Sequence, residues 1–132
     1  MPHIAAFALV VPDYDLALDF YHGVLGWDVI TDKRLSVTKR WVLVAPPGGQ
    51  CRILLAKADG DLQSAAIGQQ TGGRVGFFLS TDDFAREHAR MIQAGVHFCE
   101  KPRREIYGIV AVWQDPFGNR WDLLQPSSDN PI

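Results

Sequence analysis

Cysteine is scarce in this chain, long apolar runs are absent, and no stretch concentrates charge of one sign. The two cysteines, Cys51 and Cys99, are far apart and sit in strand-like surroundings. That excludes a disulfide framework and a cysteine-based zinc motif, and leaves two buried free thiols as the expectation. Lys and Arg number 13 against 15 Asp and Glu, scattered along the chain for a formal net charge of −2. Such a distribution gives no footprint for nucleic acid or for an anionic membrane, so neither partner is expected. No run reaches the roughly 18 apolar residues that a spanning helix needs, and the N-terminus lacks the basic start and small-residue cleavage site of a signal peptide. A cytoplasmic location is expected.

What the sequence does hold is ample material for one compact domain: 132 residues, 47% of them hydrophobic. The most informative stretch is Asp115-Pro116-Phe117-Gly118-Asn119, a tight reversal in which Asp-Pro fixes the approach and Gly-Asn tolerates positive φ. It feeds the strand Arg120 to Gln125, where Trp121 and Leu123 share one face while Arg120, Asp122 and Leu124 share the other. An acid in the middle of such a strand is unfavourable unless it is paired, metal-bound or wet, so Asp122 either meets a partner or points at water.

Taken in order, His3 to Val11 reads as a strand ending at Pro12, and Ala17, Phe20, Tyr21, Val24 and Leu25 recur at helical spacing until Gly26. Strands follow at Trp27 to Thr31, Lys39 to Ala45 and Cys51 to Ala56. Residues 58–71 are polar, small and glycine-containing, a linker with at most a short helical turn around Leu62 to Ile67. The pattern then restarts: a strand from Arg74 to Leu79, a helix capped by Ser80 or Thr81 with Phe84, His88, Met91 and Ile92 on one face, and strands at Val96 to Cys99, Ile106 to Gln114 and Arg120 to Gln125. Val11 and Leu79 lie 68 positions apart; Gly26 and Gly95, and Gly49 and Gly118, lie 69 apart. The chain is therefore a tandem repeat, module one at 1–57 and module two at 72–126, followed by a tail at 127–132. A single copy has little core of its own, so the copies should pair into one domain.

Two β-α-β-β-β units, the runs Val11-Pro12-Asp13, Phe20-Tyr21 and Leu25-Gly26-Trp27, and the Asp-Pro-Phe-Gly-Asn turn make nearly the whole chain resemble the vicinal oxygen chelate superfamily of glyoxalase I, bleomycin-resistance proteins and extradiol dioxygenases. The resemblance implies an α+β fold, two tandem modules whose curved mixed sheets face each other around a central cup that holds ligand or metal. It implies metal ligands, where a member keeps them, at four positions on the first and last strands of each unit. Carried onto this sequence those are Ala6, Arg74, Asp122 and, one offset of 69 before Asp122, Ile53. Only Asp122 can bind a cation and Arg74 would repel one, so no metal or other cofactor is expected. His3 is out of phase with Ala6, His22 and His88 lie on helices, and His97 opens a short strand; none replaces a missing ligand.

The same alternation describes the cup. Ala6 and Ala8 point inward with Ile53 and Leu55 as an apolar wall, and Arg74, Gly76, Phe78, Arg120 and Asp122 form the other. The small Ala8 and Gly76 indicate either a cavity or close backbone approach. Arg74 and Asp122 are either a structural ion pair or a clamp in which Arg74 takes a ligand anion by a forked hydrogen bond. Trp41, Tyr107 and Trp113 either cover a ligand or belong to the core, and Arg103-Arg104-Glu105 reads as a mobile loop.

Two functions follow. One is a small-molecule-binding protein of the bleomycin-resistance kind, without a metal-ligand set, holding a small aromatic or anionic compound in the cup. The other is an enzyme of the superfamily, a lyase, isomerase or dioxygenase, that uses Asp122 and Arg74 without a standard metal centre. A protein-interaction domain is a third possibility that no residue favours. By resemblance the assembly is a homodimer.

Overall fold

A computed structural model describes residues 1–128. Residues 129–132, the end of the expected tail, lie outside the described residues. The chain divides at Ile67/Gly68 into two compact units, each built around its own sheet.

The first unit opens with β1 (Ala6–Val11), shorter at its start than the stretch from His3. Pro12 cannot extend the ladder. Asp13 then caps α1 (Tyr14–Leu18) by accepting from the Leu16 amide at 2.9 Å. The helix continues in wider π-helical turns over Asp19–Val24, and the expected stripe supplies its buried side: Ala17, Phe20, Tyr21 and Leu25. The Tyr21 ring meets Phe20 edge-on at 5.0 Å and Trp27 at 5.3 Å. β2 (Asp28–Arg34), β3 (Arg40–Ala45) and β4 (Arg52–Lys57) complete a sheet in the order β1-β4-β3-β2, with β1 and β4 parallel. The helical turn expected near Leu62 is α2 (Gly60–Ala66).

The second unit repeats this plan. β5 is confined to Phe77–Ser80, so Arg74 and Gly76 precede the strand instead of lying on it. The cap of α3 (Phe84–Gln93) is Asp83, which accepts from the Arg86 amide at 3.1 Å. Thr81 serves instead by accepting from the Asp83 amide, and Ser80 ends β5. Phe84 and Met91 are buried as the helical spacing required, and His88 sits between the rings of Phe84 and Phe98 at 5.4 and 4.5 Å. β6 (His97–Phe98), β7 (Arg103–Glu105), β8 (Gly108–Gln114) and β9 (Arg120–Pro126) follow. The sheet order is β5-β9-β8-β6, with β7 also paired to β8. Arg103-Arg104-Glu105 is thus a ladder strand, not a mobile loop, because its backbone groups pair with Gly108, Ile109 and Val110.

The fold class is α+β with two mixed sheets of four and five strands. In each unit one sheet face is closed. Leu9, Val11, Val42, Val44, Ile53 and Leu55 close it in the first; Trp113, Trp121 and Leu123 in the second, with the two indoles stacked at 5.2 Å. Both cysteines are free and exposed, contrary to the buried thiols expected, since Cys51 precedes β4 and Cys99 follows β6, each where regular pairing stops.

Candidate functional site

The face of the first sheet opposite the closed one carries Ala6, Ala8 and Val10 on β1, Leu54 and Ala56 on β4, and Leu43 and Trp41 on β3. None is polar, and Trp41 is 43% exposed. Where β3 begins and β4 ends lies a concavity of about 560 Å³, lined by Trp41, Leu54 and Ala56 of this face together with Tyr14, Thr38, Lys39, Arg40, Leu55, Lys57, Asp59 and Gln63. Its wall is fixed by Arg40. That guanidinium makes two hydrogen bonds to Asp32, 3.1 and 2.7 Å, and one to Asp15, 2.8 Å, while lying 5.2 Å from the centre of the Tyr14 ring. The Tyr14 hydroxyl accepts from the Arg40 amide at 3.2 Å. The hydrogen bond from Arg40 holds the Asp32 carboxyl below the usual carboxylate range, against a smaller desolvation effect.

On the second sheet the corresponding face is buried at Val110 and Leu124 and open beside them, where Phe78, Val112 and Asp122 lie side by side: Asp122 is in register with Phe78 across β5/β9 and with Val112 across β8/β9. The Phe78 ring is 53% exposed. One carboxylate oxygen of Asp122, Oδ1, is buried with no hydrogen-bond partner. Burial pushes this carboxyl above the usual carboxylate range; the field of Arg103 opposes the shift and that of Glu100 adds to it. Arg103 is held by three groups. It donates to Glu100 at 2.9 Å, to Glu105 at 2.9 Å and to the Tyr107 hydroxyl at 3.4 Å. Glu100 also accepts from the Val112 amide at 2.9 Å, and these two partners outweigh its desolvation to hold it below the usual range.

Several sequence expectations change place. Ile53 and Leu55 lie on the closed face with Leu9, not beside Ala6 and Ala8, because Ala8 pairs with Leu54 and Leu9 with Leu55. The glycine turns repeat at 69 residues, but the buried positions after them repeat at 68, Ile53 with Trp121 and Leu55 with Leu123. A slip of one residue sends every side chain to the other face. The counterpart of Asp122 is therefore Leu54. Arg74 is exposed and outside the sheet, held in a turn where its carbonyl accepts from the Thr71 hydroxyl, and it makes no ion pair with Asp122 among the described residues. Gly76 answers close approach: a Cβ there would fall 2.1 Å from the Thr71 methyl carbon. Trp113 is core, fully buried, whereas Trp41 and Tyr107 are partly exposed and Arg120 is exposed. Val10, Leu43, Leu54 and Glu100 were missed; correct phasing of β4 would have found Leu54, while nothing in the local sequence marks Glu100.

The chemistry of the donor set can now be tested against a metal. Ala6, Leu54, Arg74 and Asp122 offer a single carboxylate, which does not fit the three or so protein ligands of a zinc or iron centre. Among the described residues no three His, Cys, Asp or Glu side chains come together. His22 Nδ1 is 2.7 Å from the Trp27 carbonyl, a structural contact.

Known proteins resemble this chain in sequence and in structure. The model of the Glyoxalase/Bleomycin resistance protein/Dioxygenase superfamily matches residues 2–123. An uncharacterized protein of Shewanella frigidimarina is 48% identical over 131 residues, covering 98% of this chain and 97% of that one. Among solved structures, TnmS3, an antibiotic binding protein from Streptomyces sp. CB03234, is 31% identical, with 96% of this chain and 98% of that chain covered and a TM-score of 0.77. UcmS2 is 26% identical, with 94% and 98% covered and a TM-score of 0.81.

Proposed function

The chain belongs to the Glyoxalase/Bleomycin resistance protein/Dioxygenase superfamily, and from that premise we propose that it binds a small aromatic molecule on an open sheet face without a metal. The carrying observation is the uncovered face of the first sheet. A run of Ala, Val and Leu around a half-exposed Trp41 is apolar surface that water solvates poorly, and it borders a concavity of about 560 Å³ with a mixed polar and apolar lining. The likeness to TnmS3 supports the reading, since that protein is described as binding an antibiotic. The lone carboxylate in the inherited ligand positions supports a lost metal site. The working form is a homodimer, which would cover apolar surface that each chain leaves open.

The test is a titration of purified protein with a panel of planar aromatic compounds, followed by Trp fluorescence and thermal shift. Saturable binding by at least one compound, weakened by Trp41→Ala, is expected. A panel that moves neither signal sinks the proposal, and stoichiometric zinc, iron, manganese or nickel in elemental analysis sinks its metal-free part.

The shifted carboxyl of Asp122 favours a second reading, an enzyme with that residue as general base. Turnover that survives chelation and disappears in Asp122→Asn would establish it in place of the first.

A further inference from the structure

Among the described residues, Asp122 is the one carboxylate on the second sheet with a buried oxygen that no donor meets. Buried polar atoms are almost always hydrogen-bonded, and an oxygen left without a donor costs free energy. Oδ1 of Asp122 is such an atom. The donors beside it bond elsewhere: Nε of Arg103 to Glu100, Nη1 to Glu105 and the Tyr107 hydroxyl, and the Val112 amide to Glu100. The group is not sealed away, because Asp122 as a whole is only partly buried and rotation about its terminal bond exchanges the two oxygens. Beside it stands the 53% exposed ring of Phe78, in direct register.

The charge around this spot argues about what would approach it. Glu100 and Glu105 are each paired with Arg103, whereas Asp122 makes no ion pair among the described residues, so its own negative charge faces an approaching ligand. A bare anion would meet repulsion here, whereas a neutral O–H or N–H would find an acceptor strengthened by its charge.

We infer that Asp122 is a specificity-determining anchor, accepting a hydrogen bond from an O–H or N–H at the edge of an aromatic ligand whose ring lies over Phe78. The inference rests on the binding function proposed above. It selects among aromatic ligands: those with a hydrogen-bond donor are preferred to the same ring without one and to the same ring bearing a carboxylate.

The experiment uses three probes on one ring system: 2-naphthol, 2-methoxynaphthalene and 2-naphthoate, titrated into wild-type protein, Asp122→Asn and Asp122→Leu. Wild type is expected to bind the naphthol about tenfold more tightly than the methyl ether, the effect of a charge-assisted hydrogen bond. In Asp122→Leu that preference should vanish, and in Asp122→Asn, which keeps the shape and a neutral acceptor, it should shrink. Naphthoate should bind wild type worst and gain in Asp122→Leu. Equal binding of naphthol and ether by wild type, survival of the preference in Asp122→Leu, or a preference for naphthoate each overturns the inference and leaves the binding function standing. Absence of binding by all three probes overturns both. Circular dichroism of each variant separates loss of fold from loss of the contact, and a misfolded Asp122→Leu leaves Asp122→Asn to decide.

Discussion

A single carboxylate organises the turn between β8 and β9. Asp115 is 2% exposed and accepts from the Phe117 amide, the Asn119 amide and the Asn119 side chain at 2.9, 2.9 and 2.7 Å. Asp115→Ala leaves three donors without that acceptor in a buried place, and a loss of about 3 kcal/mol or more is expected in chemical denaturation. Asp122 behaves in the opposite sense. Burial raises its folded-state pKa above the ordinary value near 3.8, so the folded chain holds the proton to higher pH than the unfolded chain does. Stability contributed by the protonated form is therefore lost as pH rises through that window, and the ionised form at neutral pH is a liability. Asp122→Asn should raise the unfolding free energy at neutral pH by less than about 1 kcal/mol, because a partly exposed carboxyl is screened, and the difference from wild type should disappear in acid. Thermal unfolding across pH reads both points. A residue that costs stability at the open face of a sheet fits a binding role better than a structural one.

Between β2 and β3 the cross-strand work falls to Arg40, which ties Asp32 on the neighbouring strand and Asp15 on α1 into one network over the Tyr14 ring. Arg40→Ala should destabilise by about 1–2 kcal/mol and distort the concavity beside Trp41, so weaker binding of aromatic probes should accompany the lower midpoint. The β7–β8 hairpin depends on Gly108, whose φ of 146° lies outside the range of L side chains and where a Cβ would fall 2.1 Å from the Gln125 carbonyl oxygen. Gly108→Ala should cost more than about 2 kcal/mol, measured by denaturant titration, since backbone blocks the added atom. Much of this was legible in advance: the two helices followed from apolar spacing, and the final strand with Trp121 opposite Asp122 followed from alternation. The faces of β4 were not, because the glycine turns repeat at 69 residues and the buried strand positions after them at 68. Period-two structure punishes that single residue completely, exchanging Leu54 for Ile53 on the open face. The charges that act on Asp122 were equally hidden, since strand pairing across β7, β8 and β9 brings Arg103, with Glu100 bonded to it, into range, and not the chain spacing that suggested Arg74.

For the molecule entire, the repeated unit was readable because each copy keeps the same order of helix and strands and ends in a glycine turn. The function was less so, because a shared fold hosts many chemistries and only side chains at a few positions separate them. Two measurements bear on the assembled protein. Sedimentation equilibrium should give a dimer mass, and elemental analysis after mild purification should give well under one equivalent of any divalent metal.

Asn119 has a bearing on how this chain can be divided. Its buried side-chain oxygen accepts from the Gly68 amide at 3.1 Å and from the Gln70 side chain at 3.2 Å, while Gly68 packs so closely that a Cβ would lie 2.7 Å from the Phe117 carbonyl oxygen. A split-protein or domain-shuffling design that severs the chain after Gln70 would strip both donors from a closed site. The safe breakpoint lies upstream of Gly68, and gene fusions that exchange the second half between relatives should carry residues 68–70 with it.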